Sequence, residues 1–184
     1  MTTFRRPTTA SSLALLCFLL LPACSVRDNA VRQDIAVRWE LVTNLTETPD
    51  VFEARFTLTN NSARELTGKN WALFFNMAPR PIQANKTPQA AVVRHINGDW
   101  YKLLPDESFS LPPGDSTTIS YRGLEAVIKE TDKPMGLYFV YYNGKGEEEA
   151  IVEVTDYRIA PFVREDQMTR NAEDREPIPT PQWM

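Results

Sequence analysis

Through the middle of the chain, apolar residues recur at every second position, and this alternation constrains the fold more than any other feature. Residues 37–41 read Val-Arg-Trp-Glu-Leu, and residues 52–58 read Phe-Glu-Ala-Arg-Phe-Thr-Leu. A period of two places alternate side chains on opposite faces of a β-strand, whereas an amphipathic helix needs a period of about 3.6. The helical period is almost absent, so the sequence predicts half-buried strands and excludes a helix-rich fold.

Turn signals divide this pattern into short segments. Asn97-Gly98 is the strongest of them and predicts a two-residue hairpin loop with positive φ at both positions. Thr48-Pro49-Asp50, Pro112-Pro113-Gly114-Asp115 and Asn143-Gly144-Lys145-Gly146 mark three further turns. Strands are also predicted at 71–77, 91–96, 100–104, 116–121, 137–142 and 150–157, with one helical turn near 124–129. Seven or eight short strands at this spacing predict an all-β, two-sheet antiparallel β-sandwich.

The N-terminal segment has the layout of a secretory leader. Arg5 and Arg6 precede an apolar run over residues 13–21 that is too short to span a bilayer as a stable helix. Cys24 follows Leu-Pro-Ala, which resembles the lipobox of bacterial lipoproteins, where the cysteine thiol is acylated. This pattern predicts a signal peptide over 1–23, a tether over 24–34 and a membrane anchor on Cys24. An ordinary signal peptide cleaved nearby is the alternative.

The residue after the cysteine bears on location. Ser25 stands there instead of an aspartate, which in lipoproteins of Gram-negative bacteria is the pattern of outer-membrane sorting. The expected location is therefore the outer membrane, with the domain facing the periplasm or the cell surface.

The composition excludes several kinds of chemistry. The only histidine is His95, and both cysteines lie in the leader region, so no zinc cluster and no Cys–His nucleophile pair is expected. The chain lacks a Gly-x-Ser-x-Gly elbow and a phosphate-binding glycine loop, and we expect no cofactor. Its 20 Lys and Arg and 24 Asp and Glu residues form no basic stripe, so nucleic acid is not an expected partner. His95 is expected to hydrogen-bond the backbone of the adjacent hairpin loop.

Five segments together resemble one known family. They are Leu-Thr-Asn-Asn-Ser at 58–62, Asn-Trp-Ala-Leu-Phe-Phe-Asn at 70–76, Val-Arg-His-Ile-Asn-Gly-Asp-Trp-Tyr-Lys-Leu-Leu-Pro at 93–105, Leu-Pro-Pro-Gly-Asp-Ser at 111–116 and Thr-Asp-Lys-Pro-Met-Gly-Leu-Tyr at 131–138. In order and approximate spacing they resemble the N-terminal domain of chitobiase-type β-N-acetylhexosaminidases, the bacterial enzymes of glycoside hydrolase family 20. The resemblance covers 35–161 and implies a β-sandwich similar to carbohydrate-binding modules. The proline-rich end of residues 162–184 looks like a linker into the family's second domain.

The same resemblance implies that this chain is not itself an enzyme. In the family an aspartate–glutamate pair, preceded by a histidine and two glycines, works with the substrate's own N-acetyl group. Here Asp106-Glu107 follows Leu-Pro in a loop between strands, so we expect these carboxylates to be solvated and not catalytic. The catalytic barrel would lie beyond Met184, which makes the chain an expected N-terminal fragment.

Aromatic residues are the candidates for stacking on sugar rings. Trp39 and Trp71 share the period of their apolar neighbours and are expected in the core. Trp100 and Tyr101 are adjacent on one strand, so their side chains must point to opposite faces. The candidate carbohydrate-binding residues are Arg94, Trp100, Tyr101 and Tyr138. The alternative is that these aromatic residues only fill and cap the sandwich.

These observations predict a non-catalytic accessory domain of a cell-surface β-N-acetylhexosaminidase. Its expected ligands are N-acetylglucosamine-containing oligosaccharides, derived from chitin or from peptidoglycan. One alternative is a stand-alone sugar-binding lipoprotein. The other is an immunoglobulin-like structural lipoprotein that binds protein, which a flat polar surface without aromatic faces would favour.

Overall fold

A computed structural model describes residues 35–44, 51–162 and 167. In this part of the chain there are twelve strands and one 3₁₀ turn, η1 (Glu130–Asp132), and no α-helix. No helix among these residues is long and apolar enough to cross a membrane. The predicted signal peptide, Cys24, the tether and Thr48-Pro49-Asp50 lie outside the described residues, as does most of 162–184. The strands are β1 (Ile35–Thr43), β2 (Val51–Asn60), β3 (Leu66–Thr67), β4 (Trp71–Asn76), β5 (Ile82–Gln83), β6 (Ala91–Asn97), β7 (Trp100–Pro105), β8 (Ser110–Leu111), β9 (Ser116–Leu124), β10 (Met135–Tyr142), β11 (Glu148–Glu153) and β12 (Tyr157–Ile159).

Two five-stranded sheets pack face to face. The first sheet has the strand order β12-β1-β2-β9-β5, and the second sheet has the order β11-β10-β4-β7-β6. Strands β3 and β8 form a separate two-stranded ribbon. The neighbouring strands are antiparallel except β1 and β12, which pair in parallel. The predicted all-β, antiparallel sandwich is thus confirmed, with one parallel pair at the edge of the first sheet.

The inward side chains of both sheets form one aromatic-rich core. Trp39 and Trp71 are buried in it, as their register predicts. The Trp39 indole Nε1–H donates to the Tyr121 hydroxyl at 2.9 Å, which satisfies two polar groups that burial would otherwise leave unpaired. Phe56 packs between Tyr121 and Phe75, with ring centroids 5.6 and 5.2 Å away.

The predicted strand 150–157 is wrong as one element. Its first half belongs to β11 in the second sheet, and Tyr157 belongs to β12 in the first sheet. The Val154 N–H still donates to Leu137 of the second sheet, whereas the Asp156 carbonyl accepts from Val37 of the first. The chain changes sheets between these two bonds, which alternation cannot show because both halves are half-buried.

The hairpin between β6 and β7 is also shifted from its predicted position. The register slips between His95 and Asn97, so that Asn97 pairs with Trp100. The two residues between these partners are therefore Gly98 and Asp99, and of the turn residues only Gly98 has positive φ, at 49°. Asn97 continues the strand, because a one-residue bulge displaces the turn.

Two other kinds of departure are local. The helical turn predicted at 124–129 is wrong in position, because η1 follows this range, and the two-residue strands β3, β5 and β8 were not predicted. Such short strands carry too few residues to show a periodic pattern.

Candidate functional site

Three half-buried aromatic side chains lie side by side on the outward face of the second sheet. Tyr138 of β10 is in register with Phe74 of β4, and their rings stack at 5.3 Å with an angle of 7° between planes. Trp100 of β7 packs on the other side of Phe74 at 5.6 Å. We call Trp100, Phe74 and Tyr138 the aromatic row.

The strand register explains why these rings meet. Phe74 lies between Leu73 and Phe75, which both point into the core, so the pleat turns Phe74 outward. The same alternation turns Trp100 outward, because its neighbour Tyr101 points inward. Directly opposite and diagonal neighbours on one face of an antiparallel sheet come within reach of aromatic side chains. The aromatic row follows from three local alternations and one register.

Charged residues continue the line of the aromatic row towards both edges of the sheet. Glu153 of β11 is opposite Tyr138, Lys102 of β7 is opposite Phe74, and Arg94 of β6 is opposite Lys102. One line across five strands thus carries an acid, two aromatic rings and two cations. Four steps between strands give this line a length of about 19 Å.

Arg94 and Lys102 are like charges in directly opposed positions. Such a pair destabilises a sheet modestly. Neither side chain has an ion-pair partner among the residues that the structure describes. The part of the outward face that carries Arg94 and Lys102 is therefore positively charged and available to a ligand.

An aromatic surface next to free polar groups suits a sugar. The rings of the aromatic row cover part of one another's faces, and the parts that stay exposed offer apolar surface to the C–H groups on one side of a pyranose ring. Amide and charged side chains at the margin can bond the hydroxyl and N-acetyl groups that point sideways, and Asn76, Lys102 and Arg94 stand there.

The structure brings together three of the four predicted binding residues. Trp100 and Tyr138 belong to the aromatic row, and Arg94 is exposed on the same face. Tyr101 is fully buried, and its hydroxyl donates to the Arg80 carbonyl and accepts from the Arg80 N–H. Burial raises the pKa of Tyr101, and the hydrogen bond with Arg80 lowers it less. A surface ligand cannot stack on this ring, so Tyr101 leaves the candidate site.

Phe74 is the residue that the sequence interpretation missed. It touches both other members of the aromatic row and connects them. The pattern that placed Trp71, Leu73 and Phe75 in the core also turns the residue between the last two outward. The signal was therefore present in the alternation of 71–75.

Asp106 and His95 have structural roles. Asp106 and Glu107 are exposed, and Asp106 Oδ1 accepts hydrogen bonds from the Ser108 N–H and hydroxyl, which closes a tight turn. His95 Nε2 donates to the Gly98 carbonyl at 2.7 Å, which confirms its predicted bond to the hairpin loop. No group of three or more metal-binding side chains occurs in the part of the chain that is described.

Two asparagines of the family-like segments also serve the fold. The buried Asn60 side chain donates to the carbonyls of Arg64 and Leu111 and accepts from Ser62. Asn70 accepts from the Thr67 N–H and donates to the Glu65 carbonyl. These residues hold loops in place, so their part in the resemblance reports a shared framework.

A second depression lies between the edge strands β5 and β6 of the two sheets. Ile82, Asn85, Arg94 and His95 contribute to its walls. The Asn85 amide donates to the Ser120 carbonyl and His95 bonds Gly98, so these polar groups are already used within the protein. The outward face of the second sheet is the better candidate.

Comparisons with known proteins agree with this architecture. The exo-β-N-acetylglucosaminidase of glycoside hydrolase family 20 from Vibrio harveyi, solved with N-acetylglucosamine, matches with a TM-score of 0.51 and 16% identity; the match covers 70% of this chain and 18% of that chain. The chitin-binding domain of Chi18aC from Streptomyces coelicolor matches with a TM-score of 0.40 and 15% identity, over 58% of this chain and 90% of that one. The module CBM3b of cellobiohydrolase 9A from Clostridium thermocellum gives 0.41 and 15%, over 63% and 94%. Only the Vibrio harveyi match has a TM-score above 0.5, and at 16% identity it indicates shared fold alone.

The sequence comparison is more specific. No curated protein matches the sequence significantly. The CHB_HEX family model, described as "Putative carbohydrate binding domain", matches residues 34–182. This stretch is most of the chain and contains both sheets, and it confirms the resemblance drawn from the five sequence segments. The protein therefore belongs to the CHB_HEX family.

Proposed function

We propose that this protein is a non-catalytic accessory domain that binds N-acetylglucosamine-containing oligosaccharides on the outward face of its second sheet. The nearly parallel rings of Phe74 and Tyr138, extended by Trp100, are the observation that carries the proposal. Rings held against one another by the sheet register keep their positions before the ligand arrives. Binding then costs little ordering of side chains.

The surroundings of the aromatic row support a chain-like ligand. The row lies on a sheet face and not in a closed cavity, so nothing in its geometry limits the ligand to one sugar unit. The line from Glu153 to Arg94 crosses the whole sheet and offers polar groups at both ends. An oligosaccharide that crosses the strands would stack on the aromatic row and reach these groups.

The absence of catalysis in this domain is part of the proposal. Asp106 and Glu107, the adjacent carboxylates first considered, are exposed, and Asp106 is engaged in a turn. We expect hydrolysis to reside in a β-N-acetylhexosaminidase barrel outside this sequence. The leader pattern around Cys24 supports export and lipid anchoring at the outer membrane as the setting.

Two alternatives differ in what they require of the aromatic row. A stand-alone sugar-binding lipoprotein would use the same face, and sugar titration does not separate it from the accessory domain. An immunoglobulin-like structural lipoprotein would be favoured by a polar surface without aromatic faces. The aromatic row favours sugar binding over that reading.

The test is titration of the purified domain with chitotetraose by isothermal calorimetry. We expect Phe74→Ala to weaken binding at least about tenfold, because it removes the central ring and separates the other two. Phe74→Leu keeps apolar surface but removes the ring, so it should also weaken binding. Thr59→Ala, on the outward face of the first sheet, is the matched control and should bind like the wild type.

Specific results would contradict the proposal. Wild-type protein that binds no chitotetraose at millimolar concentration, or a folded Phe74→Ala variant with unchanged affinity, would reject sugar binding on this face. Circular dichroism of each variant establishes that it is folded. Hydrolysis of an aryl N-acetylglucosaminide that is lost on changing Asp106 or Glu107 would overturn the non-catalytic assignment.

A further inference from the structure

A shallow groove of about 440 Å³ opens on the same outward face, beyond the aromatic row. Its walls include Lys69, Trp71, Arg94, Leu104, Asp106 and Tyr142. Arg94 also ends the line of residues that contains Phe74 and Tyr138. Leu104 lies two residues beyond Lys102 on β7, a displacement of about 7 Å along the strand. The groove is therefore a continuation of the candidate sugar surface.

One wall of the groove is held by a close approach of two loops. Gly68 packs so tightly on the loop after β7 that a Cβ there would lie 2.1 Å from the Asp106 carbonyl oxygen. A larger residue would push this loop away. Lys69, next to Gly68, is therefore carried on a turn whose position is fixed.

Trp71 contributes to the wall of this groove and has an unused hydrogen-bond donor. Trp71 is only 1% exposed, and its Nε1–H has no hydrogen-bond partner among the described residues. Its ring is held by Phe109 and Phe139, with centroids 5.1 and 5.6 Å away. A buried donor without an acceptor destabilises the folded state. Trp39 shows the contrast, since its indole donates to Tyr121.

The other polar groups of the groove are mainly donors as well. Lys69 and Arg94 are exposed cations without an ion-pair partner among the described residues. Burial, and after it the Glu148 carboxylate, raises the pKa of Tyr142, so its hydroxyl keeps its proton at neutral pH. The carboxylate of Asp106 already accepts two bonds from Ser108. That carboxylate keeps its negative charge, so the groove carries two cations, Lys69 and Arg94, against one anion, and its net charge favours an acidic ligand.

We propose that this groove binds a carboxylate carried by the sugar chain, and that the domain prefers acidic N-acetylhexosamine oligosaccharides to neutral ones. The proposal rests on the proposed sugar-binding function and names its ligand class more closely. Lys69 and Arg94 would pair with the carboxylate from the rim. The Trp71 Nε1–H would donate to it or to an adjacent acceptor of the same sugar from the wall.

Two tetrasaccharides of the same β-1,4 backbone separate charge from sugar recognition. Chitotetraose is neutral, whereas the alternating N-acetylglucosamine–N-acetylmuramic acid tetrasaccharide carries a lactyl carboxylate on every second unit. We expect the wild type to bind the acidic ligand about fivefold or more tightly at low ionic strength, and added salt to reduce the difference. Lys69→Ala should reduce this preference while binding of chitotetraose stays nearly unchanged, and Arg94→Ala should weaken binding of both tetrasaccharides, the acidic one more.

A spectroscopic readout tests the role of Trp71 without removing it. In ¹H–¹⁵N correlation spectra, the Trp71 indole signal should shift on addition of the acidic tetrasaccharide, and the Trp39 signal should stay in place. Spectra of Trp71→Phe and Trp39→Phe identify the two signals.

The possible results distinguish the proposed sugar binding from the proposed carboxylate site. If neither tetrasaccharide binds, the proposed function fails. If both bind equally and neither Lys69→Ala nor Arg94→Ala changes the ratio of the two affinities, sugar binding stands and the carboxylate site is rejected. An unmoved Trp71 indole signal at saturation would reject the part assigned to Trp71.

Discussion

The outward faces of the two sheets are built from the same pleated backbone but end in opposite states. On the first sheet the polar side chains bond one another. On the second sheet, aromatic rings lie half-exposed, and the neighbouring cations Arg94 and Lys102 have no ion-pair partner in the part of the chain that the structure describes. This difference separates side chains that stabilise the fold from side chains that remain available to a ligand.

On the outward face of the first sheet, polar side chains form hydrogen bonds with side chains on the neighbouring strands. Arg55 donates to Glu40 with both Nε and Nη2, at 3.0 and 2.8 Å. The hydroxyls of Thr57 and Thr118 lie 3.2 Å apart, and those of Thr59 and Ser116 lie 2.8 Å apart. Each pair joins residues in register on adjacent strands, where such contacts stabilise a sheet modestly.

The second sheet has locally unfavourable features where the first sheet has stabilising pairs. Arg94 faces Lys102 in register on the outward face, a repulsive pair, and on the inward side the Trp71 indole has no acceptor among the described residues. Natural proteins retain such unfavourable local features most often where a ligand completes them. The comparison predicts that removing a paired group on the first sheet lowers stability and leaves sugar binding intact, and that changing the aromatic row or its neighbouring cations on the second sheet alters binding.

The largest effect on stability is expected for Glu53→Ala on the first sheet. Glu53 Oε1 lies 3.2 Å from Nε of Arg122, whose side chain is 11% exposed. Removing the carboxylate leaves a mostly buried cation with fewer partners, and we expect a loss of about 2 kcal/mol. The expected loss is below that for a fully buried pair because the Glu53 side chain is 31% exposed. Urea denaturation followed by circular dichroism measures it.

A substitution of another charged residue on the same face is the control for Glu53→Ala. Arg38 is exposed on β1, and Arg38→Ala should change the free energy of unfolding by less than about 0.5 kcal/mol. Both variants should bind chitotetraose like the wild type. A loss of sugar affinity in folded Glu53→Ala would break the division of roles between the two sheets.

A smaller effect of opposite sign is expected on the second sheet. Lys102→Glu replaces a repulsive pair with an attractive one opposite Arg94, so the variant should gain about 0.5 kcal/mol of stability. The same change should weaken binding of the acidic tetrasaccharide. Lys145→Glu, in the turn between β10 and β11, makes the same charge reversal away from Arg94 and is the matched control. With a formal net charge of −4, the chain has no general reason to gain stability from another acid.

The two results of Lys102→Glu are informative together. A gain in stability with a loss of acidic-ligand affinity would show that repulsion is retained for binding. A loss of stability would mean that Arg94 and Lys102 do not repel each other in the folded protein. The comparison between the faces would then rest on the aromatic row alone.

The alternation of the sequence was sufficient to predict the sandwich. Period two depends on side chains that are directly adjacent along the chain, and it correctly predicted the buried faces of Trp39 and Trp71. The same rule predicted that Trp100 and Tyr101 point apart. It could not decide which of them is outward, because both are aromatic and amphipathic and the choice depends on β4 and β6.

Features that depend on distant contacts were missed or misplaced. The crossing of the chain between sheets near Asp156 requires β1 as a partner, which lies more than 100 residues earlier. Phe74 joins the aromatic row only because β10 and β7 flank β4 in register. The groove depends on the approach of Gly68 to Asp106, for which the local sequence carries no signal.

The smallest effect is expected for Thr57→Val on the first sheet. The variant keeps the β-branched shape that suits a strand and loses only the exposed contact with the Thr118 hydroxyl. We expect a change below about 0.5 kcal/mol in the free energy of unfolding and no change in affinity for either tetrasaccharide. Calorimetric titration beside the Phe74→Leu variant makes the comparison direct, because each substitution keeps an aliphatic side chain at an outward position. Equal losses of affinity in the two variants would show that sugar binding does not distinguish the faces. A loss in Phe74→Leu alone would assign it to the aromatic row.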